Sequence, residues 1–583
     1  MLTTLRRDIP QWRRIRAEAL PPHVVEAAAA ARAVGDWRRA AELARTQVSI
    51  DLDATRIRFG GVAADELEDD LRHLCLDLLW WHLPRHRGGM TTLHPRVSAV
   101  LAPSADAETG PLLRVRLPKS PAGPQRLHLD VTSFDELENE RWYVAPRYTW
   151  DVRETAGLRS AWGGSPARMP LLTPDGRPLP ADQLGVGDDE AARTERVYLR
   201  LAAGDLATAW AECGFDVTEV DPEALQHGGV GPACPVGLAE EVRAASRVFN
   251  ASQVNTLYGA RLDIDLPDAP SPSRSPWSEP ASDASAAPAS AAPASAAPAS
   301  AAPTASAASA ASDAEQPGAT AAQPGALSAV GSDLGDYLEI PVRVATDGVP
   351  ADLILIAAGH RAPGDLHPLM RAALFSSPPA GHLRPPPRPA APPTAQVRCQ
   401  GTWHTMTIAD GRLRMEHHSD AEAQREETLR ALGGTSTGCF AIQLAWTTGT
   451  GRLPHTLSAT VREVRHRMQH GDTPWLLEGL REGMIDPLMR DPNGWSLLHM
   501  AMWVDFRQVV PGLLQDGVPV DARDKIGRTP LYLAAMNGGH PDFMRLLLAC
   551  GADPRAETEY GAYPSYIARH RNDWQDLTFL SAL

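Results

Sequence analysis

The chain has 583 residues, more than a single core usually accommodates, so about two to four folded units are expected. Its formal net charge of −15 excludes a general electrostatic attraction to nucleic acid or to anionic lipid. Hydrophobic residues make up 43 % of the chain, enough for real cores, but no apolar run approaches the roughly 20 residues that span a bilayer.

The cysteines are scattered and contain no CxxC pair, a pattern typical of reduced thiols inside the cell. No apolar stretch of signal length follows the cationic N-terminus, so the sequence predicts a cytoplasmic protein. The six cysteines are Cys75, Cys213, Cys234, Cys399, Cys439 and Cys550.

Residues 1–108 are predicted to be a helical region. Residues 26–46 indicate two helices joined at Gly35–Asp36. One long helix is predicted from Glu66 until Pro84, because apolar residues recur on one stripe at helical spacing: Leu67, Leu71, Leu74, Leu78 and Trp81.

Residues 109–266 are predicted to be an α+β region. Two segments alternate strictly between apolar and polar residues, and the Pro/Gly-rich link between them favours a hairpin. The alternating apolar positions are Leu113, Val115 and Leu117 against Leu127, Leu129 and Val131.

Residues 267–330 consist largely of Ala, Pro and Ser, with PASAA repeated almost verbatim. Such a segment has little apolar surface to bury against its chain entropy, so we predict a disordered linker that spaces two halves of the protein. Residues 331–395 are predicted to form short strands followed by a Pro-rich segment.

A β-hairpin plus helices is predicted over residues 396–453. Asp410–Gly411 is a strong signal for a two-residue turn, and the resulting register pairs Ile408 with Leu413 and Met406 with Met415. Helices are expected over residues 420–432 and from about residue 437.

The last fifth of the chain is repetitive. Related segments begin at Gly494 (GWSLLHMA), Gly527 (GRTPLYLA) and Gly561 (GAYPSYIA), and LLACGAD with its counterpart LLQDGVP closes the second helix of each full unit. With these motifs at this period, the region resembles the ankyrin repeat family. That resemblance implies an α-solenoid of stacked helix pairs with projecting β-turn fingers, used to bind protein partners.

The predicted array covers residues 454–583. It comprises a cap at 454–490, repeats at 494–526 and 527–560, and a terminal cap at 561–583. The histidine of the TPLH motif is present only in the first of the three segments, as His499. Tyr532 and Tyr566 occupy the equivalent positions of the other two. The whole chain is also similar to ankyrin repeat domain-containing proteins of actinobacteria.

Candidate chemistry is sparse. The sequence has no Walker A loop and no HExxH motif. The Asp410–Gly411 hairpin places His404 opposite His417, with Cys439 on the following helix, a set that could hold Zn²⁺. The same residues also fit half-buried strand histidines and a core thiol, so we predict no metal and no cofactor.

The partner-binding residues are predicted in the repeats. Trp495 and Arg528 follow the turn glycines and are expected at exposed finger tips. Trp503, Met536 and Asn537 are expected near the inner helix ends, although Trp503 fits inter-repeat packing equally well. Exposed Trp and Arg dominate the energetics of many interfaces.

The sequence therefore predicts an adaptor or scaffold that binds an unidentified protein, with no nucleic-acid or membrane partner. The alternative is an enzyme whose N-terminal half is catalytic while the repeats recruit its target. A catalytic residue cannot be named from the sequence.

Overall fold

The fold was analysed in a computed structural model. It describes residues 9–17, 20–85, 91–103, 109–137, 141–217, 226–227, 231–232, 234–251, 253–256, 261–264, 327–330, 342–344, 349–375, 392–570 and 577–583. Among these residues, no helix combines the length and the apolar character that a membrane span requires.

Within the described part of the chain, ten strands form one mixed sheet. Neighbouring strands in the first half of the sheet are, in order, Thr46–Ser49, Leu127–Thr132, Leu112–Arg116, Ser98–Leu101 and Trp142–Ala145. The second half continues from Trp142–Ala145 with Arg343–Val344, Gln253–Thr256, Arg261–Ile264, Leu327–Val330 and Phe215–Asp216. The predicted hairpin is confirmed, with Leu113 opposite Val131 and Val115 opposite Leu129.

This sheet is buried on both faces, because successive side chains of a strand point to opposite sides. In the strand Trp142–Ala145, Trp142 and Val144 enter one core, whereas Tyr143 and Ala145 enter the other. Helices cover the two faces: Ile9–Ala17, Pro22–Ala33, Trp37–Leu43, Leu52–Phe59, Gly61–His73, Leu76–His82, Leu158–Ala161, Glu190–Ala203, Leu206–Glu212, Leu238–Phe249, Ala351–Ala357 and Pro368–Leu374.

Residues on both sides of the Ala/Pro/Ser segment belong to this one domain. Leu262, before the segment, shares a core with Val342 and Leu353, which follow it. The carboxylate of Asp352 accepts hydrogen bonds from Arg16, 2.8 Å away, and from the indole of Trp81, 2.9 Å away. The predicted linker therefore does not separate two folded halves of the protein.

A second body contains the predicted hairpin and the repeats. Its small sheet pairs the strands Thr394–Cys399, Thr402–Ala409 and Arg412–Met415, and the predicted register of Ile408 with Leu413 and Met406 with Met415 is confirmed. The helices are Asp420–Ala431, Gly438–Thr448, His455–Gln469, Thr473–Arg481, Leu497–Met500, Phe506–Gln515, Pro530–Asn537, Pro541–Ala549, Pro564–His570 and Thr578–Ser581.

Several expectations from the sequence are corrected. The helix expected from Glu66 is two helices, because Leu74 is extended and bridges to Asp151 while the amide of Cys75 donates to the carbonyl of Trp150 at 2.7 Å. The region expected to be helical contributes two strands, Thr46–Ser49 and Ser98–Leu101.

The middle of the chain also differs from its prediction. Residues 267–326 of the predicted linker lie outside the described residues, but 327–330 form a strand of the large sheet. Residues 331–395 contain a short strand at Arg343–Val344, but also two helices, Ala351–Ala357 and Pro368–Leu374, that were not expected. The Pro-rich residues 376–391 also lie outside the described part.

Candidate functional site

The repeat region consists of helix pairs joined by projecting turns. Each full repeat begins with a turn closed by a buried aspartate, in which Asp491 accepts from the amide of Trp495 at 2.9 Å and Asp524 accepts from that of Arg528 at 2.8 Å. In the third turn, Thr558 takes the same role and accepts from Ala562 at 3.2 Å. The repeated sequence thus produces a repeated local structure.

Neighbouring turns are bonded to one another through the backbone. The amide of Lys525 donates to the carbonyl of Asn493, and that of Glu559 donates to Ile526, both at 3.1 Å. Two arginines in equivalent positions reinforce this row, because Arg490 donates to the carbonyl of Arg523 at 2.6 Å and Arg523 donates to that of Glu557 at 2.5 Å. The turns therefore form one continuous, rigid edge.

His499 joins the first full repeat to the second. Its Nε2 donates to the carbonyl of Arg528 at 3.0 Å, while Nδ1 lies 2.8 Å from the hydroxyl of Ser496. Burial lowers the pKa of His499 to about 4, so the imidazole is neutral at physiological pH. This histidine is a structural link between repeats.

Trp495 does not lie at an exposed finger tip, as its position after the turn glycine had indicated. It is only 4 % exposed, and its indole donates to the carboxylate of Asp524 at 3.2 Å. The ring lies between Trp503, 5.7 Å away between centroids, and the guanidinium groups of Arg465 and Arg528. The expected exposure of Trp495 is wrong because the next repeat covers the ring.

The side chain of Arg528 is also largely shielded from solvent. Its guanidinium Nε and NH2 lie 2.8 and 2.7 Å from the carboxylate of Asp524, and its side chain is 21 % exposed. Arg528 therefore stabilises the turn that it follows.

The inner ends of the array contact the sheet domain of the same chain. We call residues 120–123, between two strands of the large sheet, the docking loop. The indole of Trp503 donates to the carbonyl of Ala122 at 2.8 Å, and the side-chain amide of Gln469 donates to that of Pro121 at 2.7 Å. Nearby, Thr91 Oγ1 lies 2.7 Å from Nε2 of His470.

Asn537 and Met536 belong to the same part of the array. A Cβ on Gly123 of the docking loop would lie 2.5 Å from the carbonyl oxygen of Asn537, so only glycine allows this approach. Asn537 is buried, and Met536 is half-buried against the core of the array. The sequence had indicated that the inner helix ends face a partner. At Trp503 and Asn537, these ends instead face the sheet domain of the same chain.

Exposed side chains remain at the tips of the turns. Tyr560 is 79 % exposed, and Asn493 and Lys525 are exposed at the two preceding tips. These positions were not predicted from the sequence, although each stands one or two residues before a turn glycine that aligns the repeats. An exposed residue one or two positions before each turn glycine is the signal that would have found them.

Two clusters of side chains have the donor types that bind metal ions. In the first, Cys399, His404, His418 and Cys439 bring one ligand atom each to within 4.8 Å of the others. His417, which the sequence offered as a candidate ligand, is exposed and has a left-handed backbone conformation, φ +68°, whereas the adjacent His418 belongs to the cluster. Burial and the neighbouring Cys399 raise the pKa of Cys439.

The second cluster lies in the sheet domain and consists of Cys75, Asp77 and His367. Burial opposes ionisation of Asp77, but hydrogen bonds from His367 Nε2, 3.0 Å away, and from Arg32 outweigh it and lower its pKa to about 2. Burial raises the pKa of Cys75. All three residues are buried.

Comparisons with known proteins agree with the repeat assignment. Residues 468–558 match the family model described as ankyrin repeats (3 copies), so this segment is an ankyrin repeat array. The human protein phosphatase 1 regulatory subunit 27 (Homo sapiens) is 31 % identical over 98 residues, which is 17 % of this chain and 63 % of that protein.

The mouse counterpart (Mus musculus) is 36 % identical over 89 residues, 15 % of this chain and 56 % of that protein. Calmodulin-binding transcription activator 3 of Arabidopsis thaliana is 33 % identical over 100 residues, 16 % of this chain and 10 % of that protein. The chain thus matches less than two thirds of each of these relatives.

Proposed function

We propose that this protein is an adaptor that binds another protein through the exposed tips of its ankyrin turns. Asn493, Lys525 and Tyr560 are exposed on consecutive turns, and backbone bonds from Lys525 to Asn493 and from Glu559 to Ile526 join these turns to one another. The 79 % exposure of Tyr560 is the observation that carries the proposal, because a rigidly mounted, exposed tyrosine is a typical interface anchor.

The contacts made by the inner helix ends favour the turn tips, rather than the inner face of the array, as the partner-binding surface. Trp503 and Asn537 face the docking loop, so a partner would have to displace this protein's own sheet domain to reach them. Of the predicted partner-binding residues, Trp495 and Arg528 are therefore proposed to support the turns from behind, and Trp503 and Asn537 to hold the array against the docking loop.

Three observations support the class and place of this function. Two relatives are named as regulatory subunits of protein phosphatase 1, which agrees with a binding role for such an array. All six cysteines are free thiols, as expected of a protein that acts in the reducing cytoplasm. The net charge of −15 favours a protein partner over nucleic acid or anionic membrane.

The test compares proteins retained from a lysate of the source organism by immobilised full-length chains. The double variant Lys525→Ala/Tyr560→Ala removes two exposed tips, and substitutions of exposed side chains change stability by only about 0.5 kcal/mol. Tyr566→Ala is the matched control, because Tyr566 is an exposed tyrosine on the helix beyond the third turn.

A partner of the tips should be retained at least tenfold less by the double variant, a loss of about 1.4 kcal/mol, and normally by the control. Quantitative mass spectrometry of the retained proteins measures this ratio. Equal retention of every protein by the wild type and the double variant would refute the proposed surface.

A further inference from the structure

Two cysteines and two histidines meet where the small sheet packs on the helix Gly438–Thr448. Cys399 ends the first strand, His404 lies on the second, His418 follows the third and Cys439 opens the helix. Their ligand atoms all lie within 4.8 Å of one another. His404 Nδ1 is 2.8 Å from His418 Nε2 and 3.8 Å from Cys439 Sγ.

These separations are close to those of a tetrahedral zinc centre. Zinc binds thiolate sulfur at about 2.3 Å and imidazole nitrogen at about 2.0–2.1 Å, which leaves neighbouring ligand atoms about 3.3–3.8 Å apart. The distance from Cys439 to His404 already has this size. The two imidazoles, which share a hydrogen bond, need to separate by only about half an ångström for the ion to replace the shared proton.

We propose that Cys399, His404, His418 and Cys439 bind one structural zinc ion. Two thiolates balance the charge of Zn²⁺, and two neutral imidazoles add none, so the complete centre is electrically neutral and suited to its buried position. Four protein ligands fill the tetrahedron and leave no position for water or substrate. The centre is therefore structural.

Local backbone features bring the ligands together. Gly438 has φ +58°, and a Cβ on it would lie 2.5 Å from the sulfur of Cys399, so glycine is required where the two thiols approach. The left-handed conformation of His417 turns His418 inward. The Nδ1 atom of His418 lies 3.8 Å from the carboxylate of Glu422, placed to orient the ring when Nε2 binds the ion.

The zinc ion would stabilise the hairpin and the helix that cap the repeat array. On the same hairpin, the amide of Leu413 donates to Asp486 at 3.0 Å, and the indole of Trp446 donates to the same carboxylate at 2.9 Å. The amide of Gly411 donates to the carbonyl of Gly483 at 3.2 Å. The hairpin and helix that the ion joins are therefore the elements that cap the first helix pair.

The test uses the full chain, purified without a histidine tag and under reducing conditions. Inductively coupled plasma mass spectrometry should find about one zinc per chain in the wild type, and less than a tenth of that in Cys439→Ser and His418→Ala. The controls are Cys550→Ser, an exposed thiol, and His417→Asn, an exposed neighbour whose replacement tolerates the left-handed backbone; both should keep their zinc.

A second measurement does not depend on the folding of any variant. Wild-type protein stripped with a chelator and reloaded with Co²⁺ should show the visible absorption of a tetrahedral cobalt ion and a thiolate-to-cobalt charge-transfer band. Three results would each overturn the proposal: wild-type protein with neither zinc nor cobalt uptake, cobalt in octahedral geometry, or a Cys399–Cys439 disulfide in protein kept free of oxygen.

Discussion

One added methyl group tests whether the array is docked on the sheet domain. In Gly123→Ala, the new Cβ would lie 2.5 Å from the carbonyl oxygen of Asn537 and 3.2 Å from that of Ser120. Both oxygens belong to the backbone, so neither can rotate away as the end of a side chain could. The docking loop must therefore move off the inner helix end.

The cost of this substitution has two parts. Forcing an extra methyl into a packed contact costs about 1–3 kcal/mol. Movement of the loop also withdraws the carbonyl of Ala122 from the indole of Trp503, and a buried donor left without its partner costs about 1–3 kcal/mol. Even a total of about 2 kcal/mol shifts the equilibrium between docked and undocked forms about thirtyfold.

Hydrogen exchange followed by mass spectrometry measures this shift. Gly123→Ala should lower protection in peptides that cover residues 118–126 and 530–540. Gly512→Ala is the matched control, because a Cβ added at Gly512 in the helix Phe506–Gln515 would meet no neighbouring atom of the described residues within 4 Å, and alanine should stabilise that helix by up to about 1 kcal/mol. Unchanged exchange of both segments in Gly123→Ala would refute the docked arrangement.

Further predictions concern buried polar groups. The pKa of His499 is about 4 in the folded state and about 6.5 in the unfolded state. Its contribution to the free energy of unfolding is therefore complete above pH 6.5 and falls by about 3 kcal/mol as the pH drops to 4. In thermal melts, His499→Gln should lose less stability than the wild type over this pH range. Asp486→Ala leaves the backbone amides of Leu413 and Leu488 and the Trp446 indole without their acceptor. This should destabilise the cap of the array by about 2–4 kcal/mol, measured as faster proteolysis of the hairpin. Asp352→Ala leaves the buried Arg16 without its carboxylate partner and should destabilise the sheet domain by about 3–5 kcal/mol, measured as a lower urea midpoint for the unfolding of that domain.

Features set by neighbouring residues were predictable from the sequence. The Asp410–Gly411 turn and the alternation of apolar residues around it fix the same register, which the structure confirms for Ile408 with Leu413. The repeat period likewise identified the array, because each turn glycine recurs with its own helix pair. Local geometry and local sequence agree in these elements.

Features set by distant residues were not predictable in this way. Trp495 is buried by the next repeat, through a bond to Asp524 that only the stacked array creates. Leu74 leaves the helical stripe because Asp151, far along the chain, bridges to its backbone. In both cases a tertiary contact overrides a correct local pattern.

The cluster of Cys399, His404, His418 and Cys439 was only partly predicted, because backbone conformation decides which of these residues meet. Cys399 was missed because the turn at Gln400–Gly401 was not recognised, although positive φ values of 48° and 89° make it a tight two-residue link. Extending the strand register past Met415, where the strand ends, placed His417 rather than His418 opposite His404. Recognising the first turn would have placed Cys399 beside His404.

The two faces of the array have different roles that follow from their surroundings. Two full repeats with divergent caps bury little surface on their own, and here the hairpin covers one end while the docking loop lies against the inner helix ends. The sheet domain is formed by residues from before and after the Ala/Pro/Ser segment in the sequence, since Leu262 and Leu353 belong to the same core. A partner held at the turn tips would therefore be held in a fixed position relative to the sheet domain, because the docking contacts join the two bodies directly and the segment does not lie between them.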